Sequence, residues 1–231
     1  MKTLGVIGGI GPESTIEYYR LLIETYQERT GDGSYPSLVI NSIDLKRMID
    51  CFTAGRLADA ADYLAAEVGR LARAGADVAL LSANTAHAVF HEVRSRSTVP
   101  LLSIVEATCA EAKARGLRRL ALLGTRFTMG GRFYPEVFDR EGVALVVPDA
   151  EEQAFIHDRY MNQLIKGVFL DETRDRLLGI AGRLKEREGV DGLILGGTEL
   201  PLILRGDEAA GLPLLDTTRI HVRAAVAELL R

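Results

Sequence analysis

Two short polar runs, each directly after an apolar one, carry residue types from which a small-molecule site can be built. The first is Ser82-Ala83-Asn84-Thr85-Ala86-His87, after Val78-Ala79-Leu80-Leu81; the second is Gly196-Gly197-Thr198-Glu199, after Leu193-Ile194-Leu195. Asn84, Thr85 and Thr198 stand where a strand gives way to a helix. Their side-chain oxygens, with the exposed N–H groups of a helix start, suit the α-amino and α-carboxylate groups of a small ligand, or else cap the helix. His87, three residues past Asn84, turns back toward the same end of a helix and can orient or accept a proton near neutral pH, or can serve as a packed structural ring. Glu199 can orient a base or cap its helix. A third run, Gly8-Gly9-Ile10-Gly11-Pro12, lets the backbone at Gly9 approach a ligand and puts proline at a helix start. A dinucleotide fingerprint is the rival reading, but G-x-G-x-x-G is not completed and Pro12 interrupts it. In Gly124-Thr125-Arg126-Phe127-Thr128, the Thr125 hydroxyl can hold a carboxylate or act as an N-cap.

The elements that must position these loops are legible as alternation. Short apolar, β-rich runs at residues 3–7, 38–40, 78–81, 101–104, 120–123, 143–147, 193–195 and 214–215 alternate with helix-period stretches at 13–28, 56–73, 151–166 and 173–187. This pattern predicts α/β architecture with mainly parallel sheets flanked by helices. Continuous rather than alternating hydrophobicity in the strands fits burial on both faces. Gly31, Gly75, Gly116, Gly142 and Gly189 stand where helices should stop. An internal repeat is also visible: Gly5-Val6-Ile7-Gly8-Gly9 is answered by Ala121-Leu122-Leu123-Gly124-Thr125, and the Asn84 loop by the Thr198 loop. Gly9 to Asn84 spans 75 positions and Thr125 to Thr198 spans 73. Two similar lobes are expected, with ligand-binding loops beyond the carboxyl ends of their strands and a cleft between them.

Composition narrows the partners. A net charge of −4 without a Lys/Arg stripe argues against nucleic acid or an anionic membrane surface, so the expected partner is small. No signal-peptide pattern or membrane-length apolar run is read, which makes the cytoplasm the default location. The two cysteines, Cys51 and Cys109, suit neither a disulfide scaffold nor a spaced zinc site; both are expected to be buried structural thiols, Cys51 ahead of a helix and Cys109 within one.

The two polar runs resemble the strand-to-helix loops of the aspartate/glutamate racemase family, whose usual patterns are C-N-T-x-H and G-C-T-E. Gly124-Thr125-Arg126-Phe127-Thr128 resembles the family's G-T-x-x-T, and Asp216-Thr217-Thr218-Arg219-Ile220-His221 its closing D-T-T-x-x-H, so the resemblance covers essentially the whole chain. It implies two lobes, residues 1–98 plus 211–231 and residues 99–210, with the last helix returning to the first lobe and His221 supporting the second from the rear. It further implies cofactor-independent amino-acid racemisation without metal, a homodimer, and an acidic amino acid or dicarboxylate as ligand. Arg47 falls where the family often has an arginine over the distal carboxylate, for which guanidinium geometry is suited. Lys166 matches a second basic residue of some members. Either could instead be a solvated surface residue.

At the positions of the family's two catalytic cysteines stand Ala83 and Gly197. A two-base racemase needs one acid/base group on each face of Cα, and neither residue can supply one. Ser82 neighbours the first position, but strand alternation points it elsewhere. Three readings stay open: a racemase using His87, Glu199 or Lys166 as substitute bases; another reaction of the wider superfamily, such as decarboxylation or isomerisation; or a binding or regulatory protein with a retained pocket.

Overall fold

The computed structural model of the protein describes residues 2–231. In chain order the elements are β1 (Thr3–Gly8), α1 (Pro12–Thr30), β2 (Ser37–Ser42), α2 (Leu45–Thr53), α3 (Leu57–Arg73), β3 (Val78–Leu81), α4 (Phe90–Arg96), β4 (Leu101–Leu102), α5 (Ile104–Ala114), β5 (Arg119–Gly124), α6 (Arg126–Met129), α7 (Phe133–Arg140), β6 (Ala144–Val146), α8 (Ala150–Asn162), α9 (Asp171–Glu188), β7 (Gly192–Gly196), α10 (Leu200–Ile203), β8 (Glu208–Ala209), β9 (Leu212–Asp216) and α11 (Thr217–Leu229). Single 3₁₀ turns occupy Thr85–Val89 and Leu164–Lys166. The chain divides into two compact units, one running through Ile104 and resuming at His221–Arg231, the other Val105–Ile220.

In the first unit four parallel strands lie in the order β2-β1-β3-β4. Central strands β1 and β3 are buried along almost their whole length, while β2, at the edge, keeps partial exposure. Leu4, Val6, Val78 and Leu80 pack with Tyr18, Leu22 and Tyr26 of α1 and with Val222, Ala225, Val226 and Leu229 of α11. Helix covers are what an all-parallel sheet requires, because each crossover connection lays a helix on a face.

In the second unit the order is β6-β5-β7-β9-β8, with only the β8–β9 pair antiparallel. Ala121, Leu123, Leu193 and Leu195 form a core with Ile156 and Tyr160 of α8 and Leu177, Ile180 and Leu184 of α9. The order β6-β5-β7-β9 reproduces β2-β1-β3-β4, so the internal repeat is a repeat of topology.

Several boundaries differ from the sequence expectation for physical reasons. The apolar run at 101–104 is strand only at Leu101–Leu102, and α5 starts at Ile104. The stretch 151–166 breaks at Gln163, whose φ of −125° is not helical, and ends in left-handed Gly167. Cys51 lies inside α2, a short helix begun by Asp44, whose carboxylate accepts from the Lys46 N–H at 2.9 Å. Against the expected divisions at 98/99 and 210/211, the units part at 104/105 and 220/221. β4 stays with the sheet of its partner β3, and β9 with that of β7. His221 lies in the first unit.

Candidate functional site

At the carboxyl end of the first sheet, the loops after β1 and β3 are tied together by buried hydrogen bonds. Gly9 has φ 78°, and a Cβ there would lie 2.4 Å from the Ile43 carbonyl, so the close turn admits only glycine. Its N–H donates to Thr15 Oγ1 at 2.8 Å. The Ser14 hydroxyl donates to the Gly11 carbonyl at 3.1 Å and the Ser82 carbonyl at 3.3 Å, and the Ser82 hydroxyl to the Ile7 carbonyl at 2.8 Å. Ser82 is thereby occupied with holding the loop. Asn84, almost fully buried, and Thr85, half-buried, open the 3₁₀ turn that follows, next to buried Ala83.

His87 is fixed by the backbone on both sides. Its Nε2 accepts from the Ile104 N–H at 3.1 Å, which puts the ring proton on Nδ1, facing the Ala83 carbonyl at 2.9 Å. Burial pushes its pKa down to about 4. His221 stands behind it with ring centroids 6.1 Å apart: Nε2 donates to the Leu102 carbonyl at 3.1 Å, and Nδ1 accepts from the Tyr18 hydroxyl at 2.9 Å. Its pKa is pushed down to about 3, by burial first and by His87 second. Neither imidazole presents a nitrogen to a ligand. His87 positions the loop and is not a substitute base, and His221 supports the first unit rather than the second. Arg47 is exposed on α2, its guanidinium 3.9 Å over the Tyr63 ring, and lines a cavity of about 810 Å³ with Asp44, Arg56, Glu67 and Arg70.

The second sheet presents an equivalent end with different contents. Thr125 caps α6, accepting from the Thr128 N–H at 3.3 Å. The β5–β7 register pairs Gly124 with Gly196, which puts Thr125 beside Gly197. Over both loops lies α8, started by a capping box between Asp149 and Glu152, with Glu152 further anchored by Arg183 at 2.8 Å. His157, in the penultimate turn of α8, accepts from the Arg126 N–H at 3.3 Å. Tyr160, three residues on and hence on the same helix face, reaches the β7 loop. There the Tyr160 hydroxyl donates to Glu199 Oε2 in a short bond, and the Thr198 hydroxyl donates to the same oxygen at 3.0 Å. Burial and the adjacent Glu199 carboxylate hold the phenol pKa well above its usual value, so Tyr160 keeps its proton. Lys166 is exposed on the 3₁₀ turn after α8.

Residues 7–225 match the Asp/Glu/Hydantoin racemase family. The chain belongs to this family. Among curated relatives, it is 26% identical to the broad specificity amino-acid racemase RacX of Bacillus subtilis, over 97% of this chain and 96% of that one. Among solved structures, a Yersinia pestis protein provisionally assigned as an Asp/Glu racemase superposes with a TM-score of 0.90 at 32% identity, and an aspartate racemase homologue from Pyrococcus horikoshii with 0.85 at 33% identity. Each comparison covers the whole of both chains.

For a racemase-family chain the decisive residue is one that sequence reading missed. A Cβ built on Gly197 would stand 2.4 Å from Tyr160 Cε2 and 2.8 Å from its hydroxyl oxygen. The space that the resemblance gives to a cysteine side chain is filled from α8. Tyr160 lies 39 residues from Glu199 in sequence, and nothing in its local pattern distinguishes it from an ordinary core aromatic. The only sequence signal is indirect: glycine stands where the resembled pattern has a side chain, and the structure leaves no room there for a Cβ.

Proposed function

We propose that this racemase-family chain binds a small acidic amino acid or a related dicarboxylate at strand-end loops, and does so without two-thiol racemisation. The observation that carries the reading is Tyr160 packed into the side-chain space of residue 197, with Ala83 at the other thiol position. Racemisation needs a proton removed from one face of Cα and returned to the other. A methyl group can do neither, and Tyr160 holds its proton too tightly to act as a base. Gly9, Asn84, Thr85, Thr125 and Thr198 are the proposed contacts for the α-amino and α-carboxylate groups, and Arg47 and Lys166 for the distal carboxylate. The protein is further proposed to be a cytoplasmic homodimer, which cell fractionation and sedimentation would test.

A second reading retains turnover, as cofactor-independent amino-acid isomerisation by groups other than thiols. Full-length likeness to the broad specificity amino-acid racemase RacX favours it. The two readings separate in one experiment: calorimetric titration with aspartate and glutamate, followed by NMR detection of deuterium at Cα in D₂O. The expected result is binding with no exchange above the buffer rate. Exchange on either enantiomer would overturn the first reading and send the search for bases to Glu199 and Lys166; no binding of either amino acid would reject the ligand assignment.

A further inference from the structure

The charges around the cavity beside Arg47 do not all cancel within the protein. The cavity, of about 810 Å³, belongs wholly to the first unit and is lined by α2, α3 and the residues that start them. Most charges on its wall are answered: Lys46 by Asp50 at 2.6 Å, Arg56 by Asp59 at 3.0 Å, Arg70 by Glu67 at 2.9 Å, and Asp62 by Arg96. Among the described residues this leaves one anion and one cation on the wall without an ion pair, Asp44 and Arg47. Tyr63 holds both: its hydroxyl accepts from the Asp44 N–H at 3.3 Å, and its ring lies 3.9 Å from the Arg47 guanidinium. Asp44 Oδ1 accepts from the Lys46 N–H as the cap of α2, and Oδ2 has no hydrogen-bond partner. Arg47 stands in the first turn of α2, where a cation opposes the helix dipole, so helix stability does not account for its place.

A carboxylate and a guanidinium left open on one wall match a group that carries an ammonium and a carboxylate together, which is the head of an amino acid. A bare carboxylate would satisfy Arg47 but lie beside the Asp44 charge, and like charges set together are costly. The wall also begins at the Gly9 turn: Ile43, the neighbour of Asp44, donates its N–H to the Gly8 carbonyl at 2.9 Å, and the Ile43 carbonyl is the atom that crowds Gly9. We propose that the cavity receives the far end of a ligand with an amino-acid head at each end, a diamino dicarboxylate, with Arg47 on its distal carboxylate and Asp44 on its distal ammonium. This rests on the reading that an amino acid or dicarboxylate binds at the strand-end loops, and deepens it by naming the class of dicarboxylate.

The test is calorimetric titration of the full chain with diaminopimelate, with 2-aminopimelate, which lacks only the distal ammonium, and with lysine, which lacks only the distal carboxylate. Cystathionine, whose two heads are one bond further apart, covers a longer reach, and aspartate and glutamate serve as references. Asp44 is exposed, so its ion pair with the ligand is screened, and the expected preference for diaminopimelate or cystathionine over 2-aminopimelate is roughly 3- to 10-fold. Lysine should bind about 10-fold more weakly than diaminopimelate, as loss of a charge-assisted bond predicts. Asp44→Asn keeps the helix cap, since Asn and Asp cap equally well, and removes the charge. It should erase the preference without weakening 2-aminopimelate, whereas a merely structural role would weaken both alike. Arg47→Gln should bring diaminopimelate down to the affinity of lysine. If 2-aminopimelate, aspartate or glutamate binds and neither two-headed ligand binds more tightly, the inference is overturned and the ligand class stands. A preference that survives Asp44→Asn would also overturn it. Binding of none of these ligands would reject the underlying reading as well.

Discussion

The loops after β3 and β7 occupy equivalent places in two sheets of the same strand order, yet they are held by opposite chemistry. Beside Ala83, two neutral imidazoles brace the loop through backbone groups, His87 on Ala83 and Ile104, His221 on Leu102. Beside Gly197, a phenol and a threonine hydroxyl converge on a carboxylate. The two positions where the resembled pattern has thiols are therefore packed in different ways. Ala83 is a short side chain beside a loop braced by His87; at Gly197 the side-chain volume is occupied by Tyr160 from another helix. A missing functional group can be a truncation or a replacement, and only the packing around it tells which.

Acid offers the largest way to separate the two ends. His87 and His221 are neutral in the folded chain, with pKa values pushed down to about 4 and about 3 from an ordinary value of 6.5. Below pH 6.5 the unfolded state binds protons that the folded state refuses, so stability falls as pH falls, down to the folded pKa of each ring. The slope is at most about 1.4 kcal/mol per pH unit for each histidine. The second unit's one histidine, His157, is only partly buried. Hydrogen exchange at falling pH should expose the amides of residues 83–104 before those of 193–200. Simultaneous loss in both regions would erase the distinction.

A smaller but more local effect tests truncation against replacement. Gly197→Cys drives a Cβ into the Tyr160 ring and should cost about 1–3 kcal/mol, as overpacking does, seen as a fall in Tm. Ala83→Cys adds one sulfur to a Cβ that the buried loop already holds and should cost less than Gly197→Cys, where the Cβ itself is blocked. In a Tyr160→Ala background the Gly197→Cys penalty should largely vanish, since only contacting residues couple in a double-mutant cycle. An equal penalty in both backgrounds would mean that Tyr160 is not the obstacle. Restoring both thiols alone should accordingly fail to restore a two-thiol site.

Much of the fold was legible because it rests on local signals. Continuous apolar strands, helix-period stretches and stop glycines pointed to parallel sheets flanked by helices, and the repeat of Gly5–Gly9 in Ala121–Thr125 pointed to two similar lobes, though not to their strand order. The strand-end loops were legible for the same reason, since a parallel strand followed by a helix puts its polar turn at the carboxyl end. His87 illustrates the limit. Its place beside the loop follows from helical spacing, but its role depends on the Ile104 N–H and His221, whose sequence separations are set by tertiary packing. Tyr160 is the stronger case. Its role depends on a glycine 37 positions away giving it room, and no window of local sequence holds both halves of that pair.

The smallest structural effect is expected at the two basic residues proposed for the distal carboxylate, Arg47 and Lys166, and here too the units differ. Arg47 is pre-positioned: its guanidinium lies 3.9 Å over Tyr63, whose hydroxyl accepts from the Asp44 N–H at 3.3 Å, so α2 and α3 together fix the direction of the charge. Lys166 rides on an exposed 3₁₀ turn, on a flexible stem whose ordering would offset part of any ion pair it makes. Removing Arg47 should cost the fold only about 0.5–1 kcal/mol, the worth of an exposed cation–π contact. On ligand the order should be clear: Arg47→Ala should weaken aspartate or glutamate by about 10-fold or more, as loss of a charge-assisted bond does, and Lys166→Ala by about threefold or less. Equal losses would mean that pre-positioning over Tyr63 is irrelevant to binding. An unchanged isotherm for Arg47→Ala would remove the distal clamp from the first unit and leave that cavity, with its mixed charges, unconnected to the ligand.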